Sequence, residues 1–230
     1  MDGTDAGRGL VGGTLGSDVL HRMRDDIISC RIKPGERLPF EKLRGVYGAS
    51  FSTLREALTS LAAEKLVTTE GQKGFQVAPV TRQELTELTD LRVLVEQEAI
   101  KLSVRNGDEA WEASVLSAYH RLERCQSRLG LQFTQFPEWM QRHQEFHRAL
   151  AGSSKSEMLS HLREQLFERA HRYRTISAAH RVDVPAKKAE HRDLMEVVLA
   201  RQESVALQLI EGHIRETSAN IMEKAAALLG

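Results

Sequence analysis

The sequence of 230 residues contains only two cysteines, five prolines and 5 % aromatic residues. The cysteines, Cys30 and Cys125, are far apart and form no CxxC pattern, which excludes a disulfide framework and a zinc finger. No apolar run approaches the roughly 18–20 residues that a membrane-spanning helix needs, so no membrane partner is expected. Lysine plus arginine and aspartate plus glutamate each total 32. Because these charges balance, a nucleic-acid binder would have to present its basic residues locally.

Local composition divides the chain into a tail and two domains. Residues 1–15 are rich in glycine and lack the basic-then-apolar order of a secretory signal, which predicts a flexible tail on a cytoplasmic protein. Between residues 16 and 79 the pattern changes over short distances, whereas long helical periodicities dominate residues 80–230. We therefore predict a mainly α protein with a small N-terminal domain at 16–79 and a larger helical domain at 80–230.

The first domain is predicted to contain three helices followed by a β-hairpin. A Lys-Pro-Gly turn at 33–35 ends the first helix, and a short second helix follows from about Phe40 to Tyr47. The third helix begins between Ser50 and Thr53, where Thr53 and Glu56 can make a capping box. The segment after it alternates around two glycines, as two short strands joined by a tight loop would. This order predicts a winged helix-turn-helix.

In that fold one helix enters the major groove while the hairpin reaches the flanking DNA. The third helix would supply base contacts, the second helix phosphate contacts, and the hairpin a glycine-rich tip. Basic residues only slightly outnumber acidic ones in this region, so the prediction depends on the ordered motif rather than on charge. The predicted DNA-binding residues are Lys42, Arg44, Ser50, Ser52, Thr53, Arg55, Gln72, Lys73 and Gly74.

The run IKPGERLPFEKLRGVYGASFSTLREALTSLAAEKLVTTEGQKGFQV resembles the DNA-binding domain of the GntR family of bacterial transcription factors. The likeness includes the PGERL entry, the S-x-x-x-LREAL recognition helix and the glycines of the wing. It implies binding to double-stranded operator DNA. Arg55 matches the second arginine of the family's recognition helix. Phe51 departs from the pattern, because the family often has an arginine directly after the serine that begins this helix.

The second domain is predicted to be an all-α antiparallel six-helix bundle, with helices near 82–105, 109–129, 137–151, 155–179, 185–201 and 203–228. Bundles build ligand sites from inward polar side chains, and four histidines lie on apolar stripes of three helices. Neutral imidazole is the commonest protein ligand of zinc and nickel, so the set predicts a divalent metal site. The alternative is core histidines that bond to neighbours. The four are His143, His147, His191 and His213.

Arg92 interrupts the apolar stripe of the first of these helices. A buried guanidinium needs a partner, because leaving it unpaired is costly. Glu96, one turn further on, is one candidate partner, and the carboxylate of a ligand is the other. Tyr173 and Arg174 are further candidate effector contacts, with a core tyrosine and a surface arginine as the alternative.

The segments DLRVLVEQEAI and FHRAL, with the histidine pair at His191 and His213, resemble the FCD effector domain of the FadR-type branch of the GntR family. Many such domains hold a divalent metal through one aspartate and three histidines, and an organic acid meets the metal and an arginine of the first helix. By this resemblance His147, His191 and His213 match the three histidines, and Arg92 matches the arginine. His143 stands where the aspartate usually stands, which leaves it as a fourth ligand or as a hydrogen-bond donor to the effector.

The six helices resemble the shorter, VanR-like subgroup, and RNGDEAWEASVL, WMQRHQEFH and LFERAHRYR resemble regulators that respond to glutarate or 2-hydroxyglutarate. The resemblance implies a homodimeric repressor that a small organic acid controls. Two alternatives stay open: a metal-dependent enzyme, and a sensor of the metal ion itself. No acidic residue on the histidine stripes is an evident general base, so we predict no enzymatic activity. The histidines also argue against a long-chain acyl-CoA sensor like FadR.

Overall fold

The computed structural model describes residues 15–69, 74–173, 175 and 184–224. The chain divides into two compact units on either side of the Pro79–Val80 peptide bond. Apart from residue 15, which begins the first helix, the predicted tail lies outside the described residues.

The N-terminal unit is a winged helix-turn-helix. Three helices, α1 (Leu15–Ile28), α2 (Phe40–Tyr47) and α3 (Phe51–Ala63), precede two strands, β1 (Val67–Thr69) and β2 (Phe75–Val77). The strands pair antiparallel, with Val67 opposite Val77, Thr68 opposite Gln76 and Thr69 opposite Phe75. This is the order of elements that the sequence predicts.

The core of this unit forms where α1 packs on α3. The helices meet through side chains spaced three or four residues apart, so that each helix presents one apolar face inward. Full burial of each large aliphatic side chain contributes about 1.5–3 kcal/mol. The fully buried side chains are Met23, Ile27, Leu54, Leu58 and Leu61.

The C-terminal unit is all helical over the residues that the structure describes. Its α-helices are α4 (Arg82–Asn106), α5 (Glu109–Leu129), α6 (Pro137–Leu150), α7 (Glu157–Arg169), α8 (Val184–Leu199) and α9 (Glu203–Lys224). A short 3-10 helix, Gly130–Gln135, joins α5 to α6. The predicted all-α bundle is confirmed over the described residues, although the fourth predicted helix is interrupted: α7 ends at Arg169, and residues 171–173 and 175 are helical again.

The helices of the C-terminal unit pack against one another in several pairs. Helix α4 packs against both α7 and α9, α5 packs against α6, and α8 contacts α4, α5 and α9. The main core includes Phe133, Phe146 and Ile210. Within the described ranges, no helix is long and apolar enough to cross a membrane.

Candidate functional site

Ser50 fixes the start of α3, the predicted recognition helix. Its backbone is extended, with φ −68° and ψ 160°, and its side chain accepts a hydrogen bond from the Thr53 amide at 3.2 Å. A serine in this position satisfies an amide that the first helical turn leaves without an acceptor. The helix therefore begins at Phe51. This corrects the capping box expected at Thr53 and Glu56, because Thr53 is already the third helical residue.

The outer face of α3 carries two of the predicted base contacts. Ser52 and Arg55 are exposed, while Thr53 is half-buried. Phe51 is also exposed, and it precedes Arg55 by four residues, so both side chains lie on one face of the helix. Because the major groove of B-DNA admits an α-helix, side chains on this face are the ones that α3 would present to base edges.

The predicted phosphate contacts on α2 are exposed, and each pairs with a glutamate. Lys42 Nζ lies 2.7 Å from Glu36 Oε1, and Arg44 Nη1 lies 3.7 Å from Glu41 Oε2. Exposed pairs of this kind contribute roughly 0–1 kcal/mol, so they compete weakly with a phosphate.

Backbone hydrogen bonds hold the predicted wing against the segment before α2. The amide of Leu38 donates to Phe75 O at 2.9 Å, and the amide of Val77 donates to Glu36 O at 2.9 Å. Gly74 has a φ of 86°, a conformation that favours glycine. The other two predicted wing residues, Gln72 and Lys73, lie outside the described residues.

Four buried histidines meet inside the C-terminal unit and form what we call the histidine centre. His143 and His147 come from α6, His191 from α8 and His213 from α9, and none is more than 8 % exposed. The four potential ligand atoms, one from each residue, lie within 4.8 Å of one another. Nε2 of His143 and Nε2 of His147 are 3.1 Å apart. Nitrogens bound to one tetrahedral ion at about 2.0–2.1 Å would be roughly 3.3 Å apart, so this spacing suits a ligand set.

Burial and one carboxylate set the chemical form of these rings. Burial, together with the neighbouring His213 and His191, lowers the pKa of His147 well below its usual range, so its imidazole is neutral. Nδ1 of His213 lies 2.8 Å from Glu190 Oε2. When Nδ1 donates to this carboxylate, Nε2 of the same ring keeps its lone pair. Neutral imidazole is the form that binds metal ions.

The metal-free protein is expected to lose stability as the pH falls below about 6.5. An unfolded histidine takes up a proton there, whereas folded His147 resists one because its pKa is lowered. The unfolded state then binds more protons, so the free energy of unfolding falls by up to about 1.4 kcal/mol per pH unit. Urea denaturation between about pH 7.5 and about pH 5.5 measures this slope. The variant His147→Gln should reduce the slope of the free energy of unfolding against pH. The control variant His120→Gln changes an exposed histidine and should leave the slope unchanged. A free energy of unfolding that does not depend on pH in wild type would contradict the prediction.

Arg92 lies close enough to the histidine centre for its charge to lower the pKa of His147. Its Nε atom is buried and has no hydrogen-bond partner among the residues described. Burial lowers the pKa of this guanidinium, and the charge of Glu96 partly offsets that effect. Arg92 also lines a small cavity whose other polar side chains are Thr89, Tyr173, Thr217 and Ser218. A buried donor without an acceptor, beside a cavity, is suited to an anionic ligand.

Glu96 is one of the two partners expected for Arg92 from the sequence, but it does not hydrogen-bond to Arg92. Its Oε2 accepts from Arg163 Nε at 2.7 Å, and Arg163 Nη2 also donates to the backbone oxygen of His147 at 2.6 Å. Arg163 therefore connects α4, α6 and α7 beside the histidine centre. Sequence reasoning missed this residue, although it precedes buried Leu166 and Phe167 by three and four positions, on a stripe like that of Arg92.

Tyr173 is buried, and its hydroxyl donates to Glu84 Oε2 at 2.9 Å. Its ring therefore forms part of the cavity wall while its hydroxyl already has an acceptor. Arg174, the neighbouring candidate, lies outside the described residues.

Comparison with known proteins gives two family matches. Residues 15–77 match the gntR family of bacterial regulatory proteins, and residues 87–216 match the FCD domain. The HTH-type transcriptional regulator BphR of Paraburkholderia xenovorans is 35 % identical over 211 residues, which cover 91 % of this chain and 86 % of the relative. The HTH-type transcriptional repressor GlaR of Escherichia coli is 35 % identical over 212 residues, which cover 89 % of this chain and 94 % of the relative.

Solved structures share the fold at lower identity. A GntR regulator from Rhodococcus sp. RHA1 has a TM-score of 0.70 at 23 % identity, covering 90 % of this chain and 97 % of the other. Escherichia coli McbR/YncC has a TM-score of 0.70 at 19 % identity, and the match covers 93 % of this chain and 100 % of the other.

A winged helix-turn-helix followed by an all-α effector domain defines a DNA-binding transcriptional regulator, a class that is not normally enzymatic. The chain belongs to the GntR family and carries an FCD domain.

Proposed function

We propose that this regulator is a repressor whose binding to operator DNA is controlled by a small organic acid held beside the histidine centre. The observation that carries the proposal is a cluster of four buried histidines near Arg92, whose Nε atom is buried and has no hydrogen-bond partner among the described residues. Such a site suits an anion far better than an apolar ligand, because burying an unpaired guanidinium is costly.

A divalent ion, zinc or nickel, fits the donor set of the histidine centre. The four rings are buried, and Glu190 lies in position to orient His213. When bound, such an ion would supply positive charge, and a fifth coordination position, which zinc can adopt, would be available to an anion. His143 is either the fourth ligand or a hydrogen-bond donor to the acid; the ring spacing supports the first role.

The acid that we propose is a five-carbon dicarboxylate such as glutarate or 2-hydroxyglutarate. The guanidinium of Arg92 can hold one carboxylate through two parallel hydrogen bonds. Ser218 lines the cavity, and its hydroxyl, which accepts a hydrogen bond from Thr89, can donate to the far polar end, whereas the Thr217 hydroxyl already donates to the backbone oxygen of His213. In this proposal Glu96 serves the acid indirectly, because it neutralises Arg163 and leaves Arg92 for the ligand.

We further propose that the protein binds a two-fold symmetric operator as a homodimer in the cytoplasm. Symmetry places two copies of α3 in successive major grooves. The proposed contacts are Ser52, Thr53 and Arg55 to bases and Lys42 and Arg44 to phosphates, with Ser50 at the start of α3 and Gln72, Lys73 and Gly74 in the wing as further DNA-binding residues. The name of the Escherichia coli relative, a repressor, supports the direction of control.

An operator-binding titration tests the proposal. An operator is selected from random-sequence duplex DNA, and its affinity for metal-loaded protein is followed by fluorescence anisotropy while glutarate or 2-hydroxyglutarate is added. We expect one acid to weaken binding about 5–150-fold, the usual range of coupling between two sites. The acid can act only through its different affinities for the two arrangements of the protein.

Arg92→Met should bind the same operator without responding to the acid. Arg105→Met is the matched control, because Arg105 is an exposed arginine on the same helix, paired with Glu203. Tighter DNA binding with acid would make the acid a corepressor. A response to metal alone would indicate a metal sensor, and turnover of the acid would indicate an enzyme.

A further inference from the structure

Phe51 is an exposed aromatic side chain at the first position of the recognition helix. It is 52 % exposed and lies outside the hydrophobic core of the N-terminal unit. Its ring stacks on Phe40, with centroids 4.1 Å apart and an interplanar angle of 30°. Phe40 in turn meets Phe75 of β2 edge-on, with centroids 6.1 Å apart. One face of the Phe51 ring is therefore supported by protein, and more than half of its surface remains available to a partner.

The chemistry of the major groove limits what this ring can recognise. A phenyl ring offers no hydrogen bond to the donors and acceptors of the base edges, and the apolar group that distinguishes one base there is the 5-methyl group of thymine. We propose that Phe51 reads a thymine methyl group in each half-site of the operator. The inference rests on the proposed placement of α3 in the major groove.

The position of Arg55 predicts where this thymine lies. Residues four apart on a helix have Cβ atoms about 5–6 Å apart, and successive bases along a strand rise by about 3.4 Å. A base contacted by Phe51 should therefore lie about one or two base pairs from the base contacted by Arg55. Both side chains are exposed on the same face of α3, so they can contact adjacent parts of one groove.

Replacing single thymines with deoxyuridine tests the proposal. Deoxyuridine lacks only the methyl group and keeps every hydrogen-bonding group of thymine. In the operator selected from random-sequence DNA, wild-type protein should lose about fourfold in affinity at one thymine position per half-site, and about sixteenfold when both half-sites are changed. Phe51→Ala should bind thymine and deoxyuridine operators equally at that position. The exposed position of Phe51 predicts that this variant folds, which its melting curve checks.

Val46→Ala is the matched control, because Val46 is an apolar residue of α2 that is 55 % exposed. This variant should keep the wild-type preference for thymine. Equal losses in wild type and Phe51→Ala, or no loss at any thymine in wild type, would overturn the assignment of Phe51 while leaving operator binding intact. Failure of the protein to enrich any sequence would overturn both the assignment and the proposed function.

Discussion

Replacing Arg163 with methionine is expected to lower the free energy of unfolding by about 3–5 kcal/mol. Arg163 and Glu96 are 5 % and 3 % exposed, and Nε donates to Oε2 at 2.7 Å. The substitution leaves the Glu96 carboxylate buried without its hydrogen-bonded partner, and it removes a donor from the backbone oxygen of His147. Urea denaturation of the metal-free protein at neutral pH measures the loss.

Two further variants test whether the expected loss of stability comes from leaving a buried charge without its partner. Arg148→Met breaks an exposed pair between α6 and α7, in which Arg148 Nε lies 2.7 Å from Glu164 Oε1, and it should cost less than about 1 kcal/mol. The double variant Glu96→Leu/Arg163→Met should regain most of the stability that the single variant loses, because neither charge of the Glu96–Arg163 pair is left buried without the other. Equal costs for Arg163→Met and Arg148→Met would show that the buried pair has no special role.

The buried pair also bears on the proposed effector site. A carboxylate one turn from Arg92 would normally compete with an anionic ligand for that guanidinium. Here the hydrogen bond of Glu96 goes to Arg163, and its effect on Arg92 is a longer-range attraction. The guanidinium of Arg92 therefore remains available near the histidine centre, in addition to the charge of a bound metal ion. In our proposal the dicarboxylate lies between the two.

Helical periodicity predicted much of the histidine centre. The spacing of His143 and His147 puts both rings on one face of α6, and their apolar neighbours show that this face is buried. His191 and His213 follow from the same argument on α8 and α9. What periodicity alone cannot give is the meeting of these faces, since that depends on how helices distant in sequence pack.

Pairing between distant helices explains what the sequence did not reveal. The helical spacing of Leu162, Leu166 and Ala170 predicts that all three face inward, yet Leu162 is 43 % exposed, and Arg163 is buried in its place. Apolar patterning assigns a leucine to the core before an arginine. A buried carboxylate that pairs with the arginine makes burial of the arginine favourable instead. The partner, Glu96, is 67 residues away in the chain, so no local pattern shows it.

Loading with zinc or nickel is expected to raise the stability of the wild-type protein by about 4 kcal/mol when the free ion is about a thousand times its Kd. The expectation follows from the burial of four imidazoles with their ligand atoms within 4.8 Å of one another, a set that the unfolded chain does not hold together. Elemental analysis should find about one ion per chain. Scanning calorimetry should show a melting temperature that a chelator lowers by about 8–16 °C.

Graded variants distinguish a metal centre from a cluster of core histidines. His191→Ala removes a fully buried ring and should abolish both the bound ion and the effect of the chelator. Glu190→Gln keeps all four rings and should weaken metal binding about 10–100-fold, because this carboxylate orients His213. His161→Ala changes an exposed histidine on α7 and should retain full metal content.

Since His191→Ala also leaves a cavity, the decisive comparison is the response of each variant to the chelator rather than its stability alone. A chelator that leaves the melting temperature of wild type unchanged would mean that the four histidines bind the acid without a metal, or serve only the core.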